Sequence, residues 1–165
     1  MVFFDTSVLI DLFNDKLSGP RKQRLDIMMA TIGKSKVAIP APAYIEFLTK
    51  VDKAREAYLA RIESSNVFRV EPLSKRASLE CAILLNEVFT KKEKSNVSRT
   101  KIKFDWMIVA IAKAGNSSCL YSIDGDIDRA CRHAGIRCEL VDNIVIPPPG
   151  PSTASLFPEG TGDQA

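Results

Sequence analysis

Apolar and polar positions follow two rhythms along this chain. Short apolar runs recur at Met1–Phe4, Val37–Ile39, Val67–Val70, Ser118–Ile123 and Cys138–Val141, and each predicts a buried strand. Between them, apolar residues recur at helical spacing. Val8, Leu9, Leu12 and Phe13 make the first such stretch, and residues 20–33 make the second, with Pro20 at its start and Gly33 at its end. Pro40 and Pro42 stop a strand and lead into the helix AYIEFLTKV. Residues 53–63 carry Ala57, Leu59, Ala60 and Ile62. Ser74 can cap a helix to about Phe89, with Leu79, Ile83, Leu84 and Val88. FDWMIVAIAKAG (104–115) ends at Gly115, and Asp128–Ala134 is closed by Gly135. Strands alternating with helices predict an α/β fold, a three-layer sandwich with a short-stranded, mostly parallel central sheet. Ligands of such sheets bind beyond the carboxyl ends of the strands, near a topological switch.

Composition narrows the class. The chain has 165 residues and is 45% apolar, enough for one folded domain. No apolar stretch is long enough to span a membrane. The first apolar run meets Asp5 at once and does not make a signal peptide. Cys81, Cys119, Cys131 and Cys138 form no CxxC pair, so they read as reduced, mostly buried thiols in a cytoplasmic protein.

Charge is unevenly placed. There are 23 Lys+Arg against 20 Asp+Glu. Residues 147–165 contain only Glu159 and Asp163 as charges, with five of the nine prolines, and read as a flexible tail. Residues 1–146 are then the folded domain. Within it, Lys91–Lys103 (KKEKSNVSRTKIK) holds six bases and one acid, and the remainder is balanced. Such a segment is either a solvated loop or an arm that attracts a phosphate backbone without sequence choice.

The acids carry the chemistry. Asp5 directly follows one apolar strand, and Asp124 and Asp126 follow another. Glu46 lies in the apolar helix YIEFL, and Asp105 opens FDWMIVAIA. Singly, each has an ordinary reading: Asp5 a helix cap, Asp105 a partner of the helix dipole, Asp124-Gly125 a turn, Glu46 a surface acid. Together they point to one acidic edge, where clustered carboxylates raise one another's pKa unless a cation neutralises them. A hard cation with oxygen ligands, Mg²⁺ or Mn²⁺, suits that set. Thr6 or Ser7 could position a ligand, or simply cap a helix.

FDTSVLIDLF at the N-terminus, YIEFLTK, FDWMIVAIAKAG and YSIDGDI resemble, in order and rough spacing, a PIN domain of the VapC-like kind, the ribonuclease toxins of prokaryotic toxin–antitoxin pairs. The resemblance runs from about Val2 to Val141. It implies that Asp5, Glu46, Asp105 and Asp124 are catalytic and hold the metal, with Asp126 assisting. It implies a Mg²⁺- or Mn²⁺-dependent endoribonuclease in which metal-activated water attacks the phosphorus in line. It also implies a homodimer with an RNA substrate and a cognate antitoxin. Ser122 stands where the family commonly has Thr, and Ile127 where an aromatic is often found. Residues placed to meet RNA are Thr6, Ser7 and Ser122, with Lys91, Lys92, Lys94, Arg99, Lys101 and Lys103 of the basic segment.

Other chemistries fit less well. One histidine and no GxSxG argue against a serine-hydrolase triad, and no P-loop or GxGxxG is present. Cys131, His133 and Cys138 lack a fourth zinc ligand. A phosphatase with Asp-x-Asp at its first strand is disfavoured by Ser7. The main alternative is a non-catalytic PIN-like module that binds RNA or protein.

Overall fold

The computed structural model describes residues 1–51, 54–90 and 99–148. Five strands form one sheet: β1 (Val2–Phe4), β2 (Val37–Pro40), β3 (Phe68–Glu71), β4 (Cys119–Ser122) and β5 (Cys138–Leu140). They stand in the order β3-β2-β1-β4-β5, and every adjacent pair is parallel. Seven α-helices are present among the described residues: α1 (Thr6–Leu12), α2 (Gly19–Ile32), α3 (Ala41–Lys50), α4 (Arg55–Glu63), α5 (Lys75–Thr90), α6 (Arg99–Ala114) and α7 (Gly125–Ala134). The α/β three-layer reading therefore holds, with a sheet that is wholly rather than mostly parallel.

Register sorts the side chains between the two faces. Phe3 pairs with Ala38 and Leu120, and all three enter a core shared with α5, α6 and α7. Val2, Phe4, Val37, Ile39, Cys119 and Tyr121 point to the other face and pack against α1, α2, α3 and α4. Both faces are covered, so the central strands are apolar at nearly every position. Phe13, Phe47, Tyr58 and Phe68 make an aromatic cluster on the second face.

Helix α3 reaches both cores, with Ala43 in the first and Phe47 in the second. Gly115 ends α6 for a packing reason. A Cβ there would lie 2.7 Å from Phe3 Cζ and 3.2 Å from the Ile111 carbonyl. Ser74 caps α5, its hydroxyl accepting from Ala77 N at 3.2 Å.

Two helices start earlier than the apolar pattern predicts. Helix α6 begins at Arg99, so the end of the basic segment is helical and Asp105 lies in the second turn. The dipole reading of Asp105 is therefore not the explanation of its place, because that effect fades within the first turn. Lys101 and Lys103 hid this start because they are exposed, leaving Ile102 alone to pack on the core. Helix α7 begins at Gly125 rather than Asp128, because Asp124 is a cap and not only a turn residue.

The connections after β1 and β2 step one way across the sheet, whereas the chain returns from β3 to place β4 on the other side of β1. The topological switch thus lies between β1 and β4. Lys91, Lys92 and Lys94, the side chain of Arg99, and residues 149–165 lie outside the described residues. Among the described residues, no helix is long and apolar enough to cross a membrane.

Candidate active site

At the carboxyl ends of β1 and β4 the structure has a cavity of about 310 Å³. Asp5, Glu46, Asp105 and Asp124 all line it, together with Thr6, Ser7 and four further residues described below. Four acids separated by up to 119 positions in sequence are thus gathered by the switch point of the sheet.

Asp5 is the most constrained. It caps α1, with Oδ1 accepting from Thr6 N at 2.6 Å. Oδ2 accepts from Ser7 Oγ at 2.7 Å, Ser122 Oγ at 2.9 Å and Ser7 N at 3.4 Å. The residue is only 4% exposed. Burial pushes its carboxyl above the ordinary aspartate value, and the serine and backbone donors oppose that rise without cancelling it.

The two serines also join the strands. Ser7 Oγ accepts from Ile123 N at 3.0 Å, and Ser122 Oγ accepts from Asp124 N at 2.9 Å. Each hydroxyl therefore links Asp5 to the backbone beyond β4. Asp124 in turn caps α7, its Oδ1 accepting from Asp126 N at 2.8 Å. The cap readings of Asp5 and Asp124 are both correct, and both residues still face the cavity.

Asp105 is held differently. Its side chain is 15% exposed, yet among the described residues no donor lies within hydrogen-bond distance of it. Lys101 Nζ is 3.9 Å away. Burial is the main cause that pushes its carboxyl up to about 7. Lys101 pulls the other way, and Asp124, Asp5 and Asp126 add repulsion.

Lys101 Nζ lies 2.7 Å from Asp126 Oδ2 and 2.9 Å from Asp124 Oδ2. These partners raise its pKa and lower that of Asp126. Asp126 does not line the cavity. Its other oxygen meets Arg129 at 3.0 Å, so it stands at the rim. Glu46, which also lines the cavity, accepts from Thr6 Oγ1 at 2.8 Å and pairs with Lys50 at 2.8 Å. Burial pushes the Glu46 carboxyl up, but Lys50 and Thr6 together hold it below the usual glutamate value.

The RNA-contact candidates divide. Thr6 and Ser7 line the cavity, but their hydroxyls are engaged with Glu46 and Asp5. Ser122 is a correction: it has no exposed surface, and its hydroxyl orients Asp5 and Asp124. A fully buried side chain cannot reach a polymer in the cavity. Lys101 lines the cavity, whereas Lys103 is exposed away from it. Trp106 is buried against His133 and does not reach the cavity.

The remaining lining residues are Lys50, Thr100, Phe104 and Lys101. Lys50, Thr100 and Phe104 were missed from sequence, although helical spacing held the signal. Lys50 lies four residues after Glu46, and Thr100, Lys101, Phe104 and Asp105 share one face of α6.

The donors are all hard oxygens, as a Mg²⁺ or Mn²⁺ ion prefers. The under-neutralised Asp105 carboxyl fits a cation as well. As they stand, however, no three acids among the described residues form a group that would hold a metal ion. Asp124 and Asp126 pair with Lys101 instead, and Asp105 lies 3.9 Å from it.

The PIN domain family model matches residues 2–133. Among curated proteins, no sequence matches the chain. Solved structures share the fold at low identity. VapC20 of Mycobacterium tuberculosis, described as a sarcin-ricin loop cleaving toxin, is 20% identical, with a TM-score of 0.58 over 79% of this chain and 95% of that one. VapBC2 from Rickettsia felis, bound to a promoter DNA fragment, is 15% identical, with a TM-score of 0.63 over 85% and 98%. DNA-bound VapBC from Salmonella typhimurium is 20% identical, with a TM-score of 0.60 over 85% and 97%.

Proposed function

This chain belongs to the PIN domain family, and we propose that it is a metal-dependent endoribonuclease, the cytoplasmic toxin of a toxin–antitoxin pair. One observation carries the reading: Asp5, Glu46, Asp105 and Asp124 line a single cavity at the switch point of a parallel sheet. Asp5, Glu46, Asp105 and Asp124, with Asp126 assisting at the rim, would hold Mg²⁺ or Mn²⁺. When bound, that ion supplies Lewis acidity and an activated water for in-line attack on phosphorus.

The chain's own residues prepare the site. Ser7 and Ser122 fix Asp5 and remove its freedom to rotate. Ser122 and the backbone N–H of Asp126 hold Asp124 at the start of α7. Thr6 and Lys50 orient Glu46. Lys50 and Lys101 put positive charge at the walls, where a phosphodiester would enter. The basic segment that includes Lys91, Lys92, Lys94, Arg99 and Lys103 would add backbone affinity that weakens with salt.

The likeness to VapBC structures supports a cognate antitoxin protein as partner; a second copy of the chain is a further proposal, which the family resemblance alone implies. The domain is taken as residues 1–146, with the proline-rich tail outside it. The test is cleavage of RNA with Mg²⁺ or Mn²⁺, with and without EDTA, beside Asp5→Asn and Asp105→Asn. Full activity in EDTA, or in both variants, would sink the reading. The second reading, a non-catalytic binding module, draws on the Lys101 ion pairs, which neutralise part of the cluster without a metal. Tight RNA binding with no metal-dependent cleavage would favour it.

A further inference from the structure

We propose that Lys101 is a resident counter-cation of the acid cluster, which a divalent metal must displace in order to bind. The geometry is specific. Lys101 Nζ lies 2.7, 2.9 and 3.9 Å from carboxylate oxygens of Asp126 in α7, Asp124 at its N-cap and Asp105 in α6. Asp124 has one oxygen, Oδ1, on the helix cap, and its other oxygen, Oδ2, is the one on Lys101. Asp126 is likewise divided between Arg129 and Lys101. A metal that takes Asp124 Oδ2 competes with the ammonium for the same atom and is repelled by it at contact distance.

Asp5 shows what competition leaves alone. Its partners are hydroxyls and amides, which orient lone pairs without bringing positive charge. Lys50 is the nearest analogue of Lys101, but among the described residues it pairs only with Glu46. Lys101 also has a way out. Its side chain is 42% exposed, so the ammonium can leave for solvent while its stem stays on α6. Released, it remains at the wall of the cavity, where an incoming phosphate needs a cation. The same charge thus lowers metal affinity and keeps the metal-free cluster from repelling itself.

The inference rests on the acids binding a divalent metal, and it does not require that RNA is cleaved. It is tested by calorimetric titration of the full chain with Mn²⁺. Lys101→Met is expected to bind Mn²⁺ about fivefold more tightly than the parent, the upper scale of a lost exposed ion pair. Lys101→Arg, which keeps the charge, gains no affinity. Unchanged or weaker binding in folded Lys101→Met overturns the proposal while leaving the metal reading intact. No Mn²⁺ binding in either protein overturns both. A second measurement avoids the variants. Acetylation of Lys101 by an amine-reactive ester, read by peptide mass, becomes several-fold faster when Mn²⁺ is added to the parent protein. Lys103, exposed and away from the acids, keeps its rate and serves as the internal reference. A Lys101 rate that does not rise with saturating Mn²⁺ overturns the proposal.

Discussion

Asp5 and Asp105 share one cavity and are both shielded from water, yet the chain treats them in opposite ways. Asp5 receives hydrogen bonds from both neighbouring amides and from two serines. Asp105 receives none among the described residues, and its nearest cation, Lys101, stops at 3.9 Å. One wall is built by strand ends, whose backbone and hydroxyl donors converge. The other is a helix face, where the backbone N–H groups past the first turn are already bonded along the helix. A carboxylate on a strand end can be fixed by the fold itself. One on a helix face must be completed by another side chain or by a ligand.

The comparison is most sharply tested by removing each charge. On the proposed function, Asp5→Asn and Asp105→Asn are each expected to lower metal-dependent RNA cleavage by at least about a hundredfold, as loss of a proposed metal-holding group should. Their stabilities part. Denaturant unfolding of the metal-free proteins finds Asp105→Asn more stable than Asp5→Asn by about 1–3 kcal/mol, because only the latter disturbs a satisfied hydrogen-bond set. Equal stabilities would break the comparison.

A pH titration comes next. Asp105 has its carboxyl raised from 3.8 to about 7, and Asp5 is raised as well. Both bind protons more tightly folded than unfolded. The metal-free protein therefore loses stability as pH rises from about 4 through about 7. Glu46 and Asp126 run the other way, since their pKa values are lowered, and their contribution is lost only in more acid solution. Tm measured across this range falls toward neutrality, and Asp105→Asn flattens the fall. Saturating Mn²⁺ at neutral pH restores the loss. A metal-free Tm that climbs between pH 4 and 7 would contradict the assignment.

Ser122→Ala is a smaller perturbation of the strand wall. It removes a buried hydroxyl that donates to Asp5 and accepts from Asp124 N. The expected cost is about 1–2 kcal/mol in chemical denaturation, with a tenfold to hundredfold loss in kcat while KM holds, as for a group that orients a proposed metal ligand. Smallest of all is Lys50→Ala. The Lys50–Glu46 pair is exposed and spaced i,i+4, so stability changes by less than about 0.5 kcal/mol.

Much of this was legible because the relevant signals are local. The strand-terminating acids Asp5 and Asp124 could be read because apolar runs stop at them. Glu46 and Asp105 stood out as acids within apolar helices, and the cavity includes all four. What escaped were residues whose role depends on which helix face points inward. Lys101 read as one base among six, and Ser122 as an RNA-contact hydroxyl, because neither burial nor ion pairing is local in sequence. The start of α6 was hidden for a related reason, since a polar first turn carries no apolar period.

The alternation of strand and helix, a mostly parallel sheet and the candidate acids could all be read from the chain, because each follows from apolar spacing or from a charge that interrupts it. Only the tertiary structure decided that β4 returns to the side of β1, so that Asp5 and Asp124 meet although they are 119 positions apart. It alone decided that Lys101 reaches into the cluster. The reason is physical: propensity and patterning act over a few residues, whereas electrostatic neutralisation depends on distances that exist only after the sheet has brought its strand ends together.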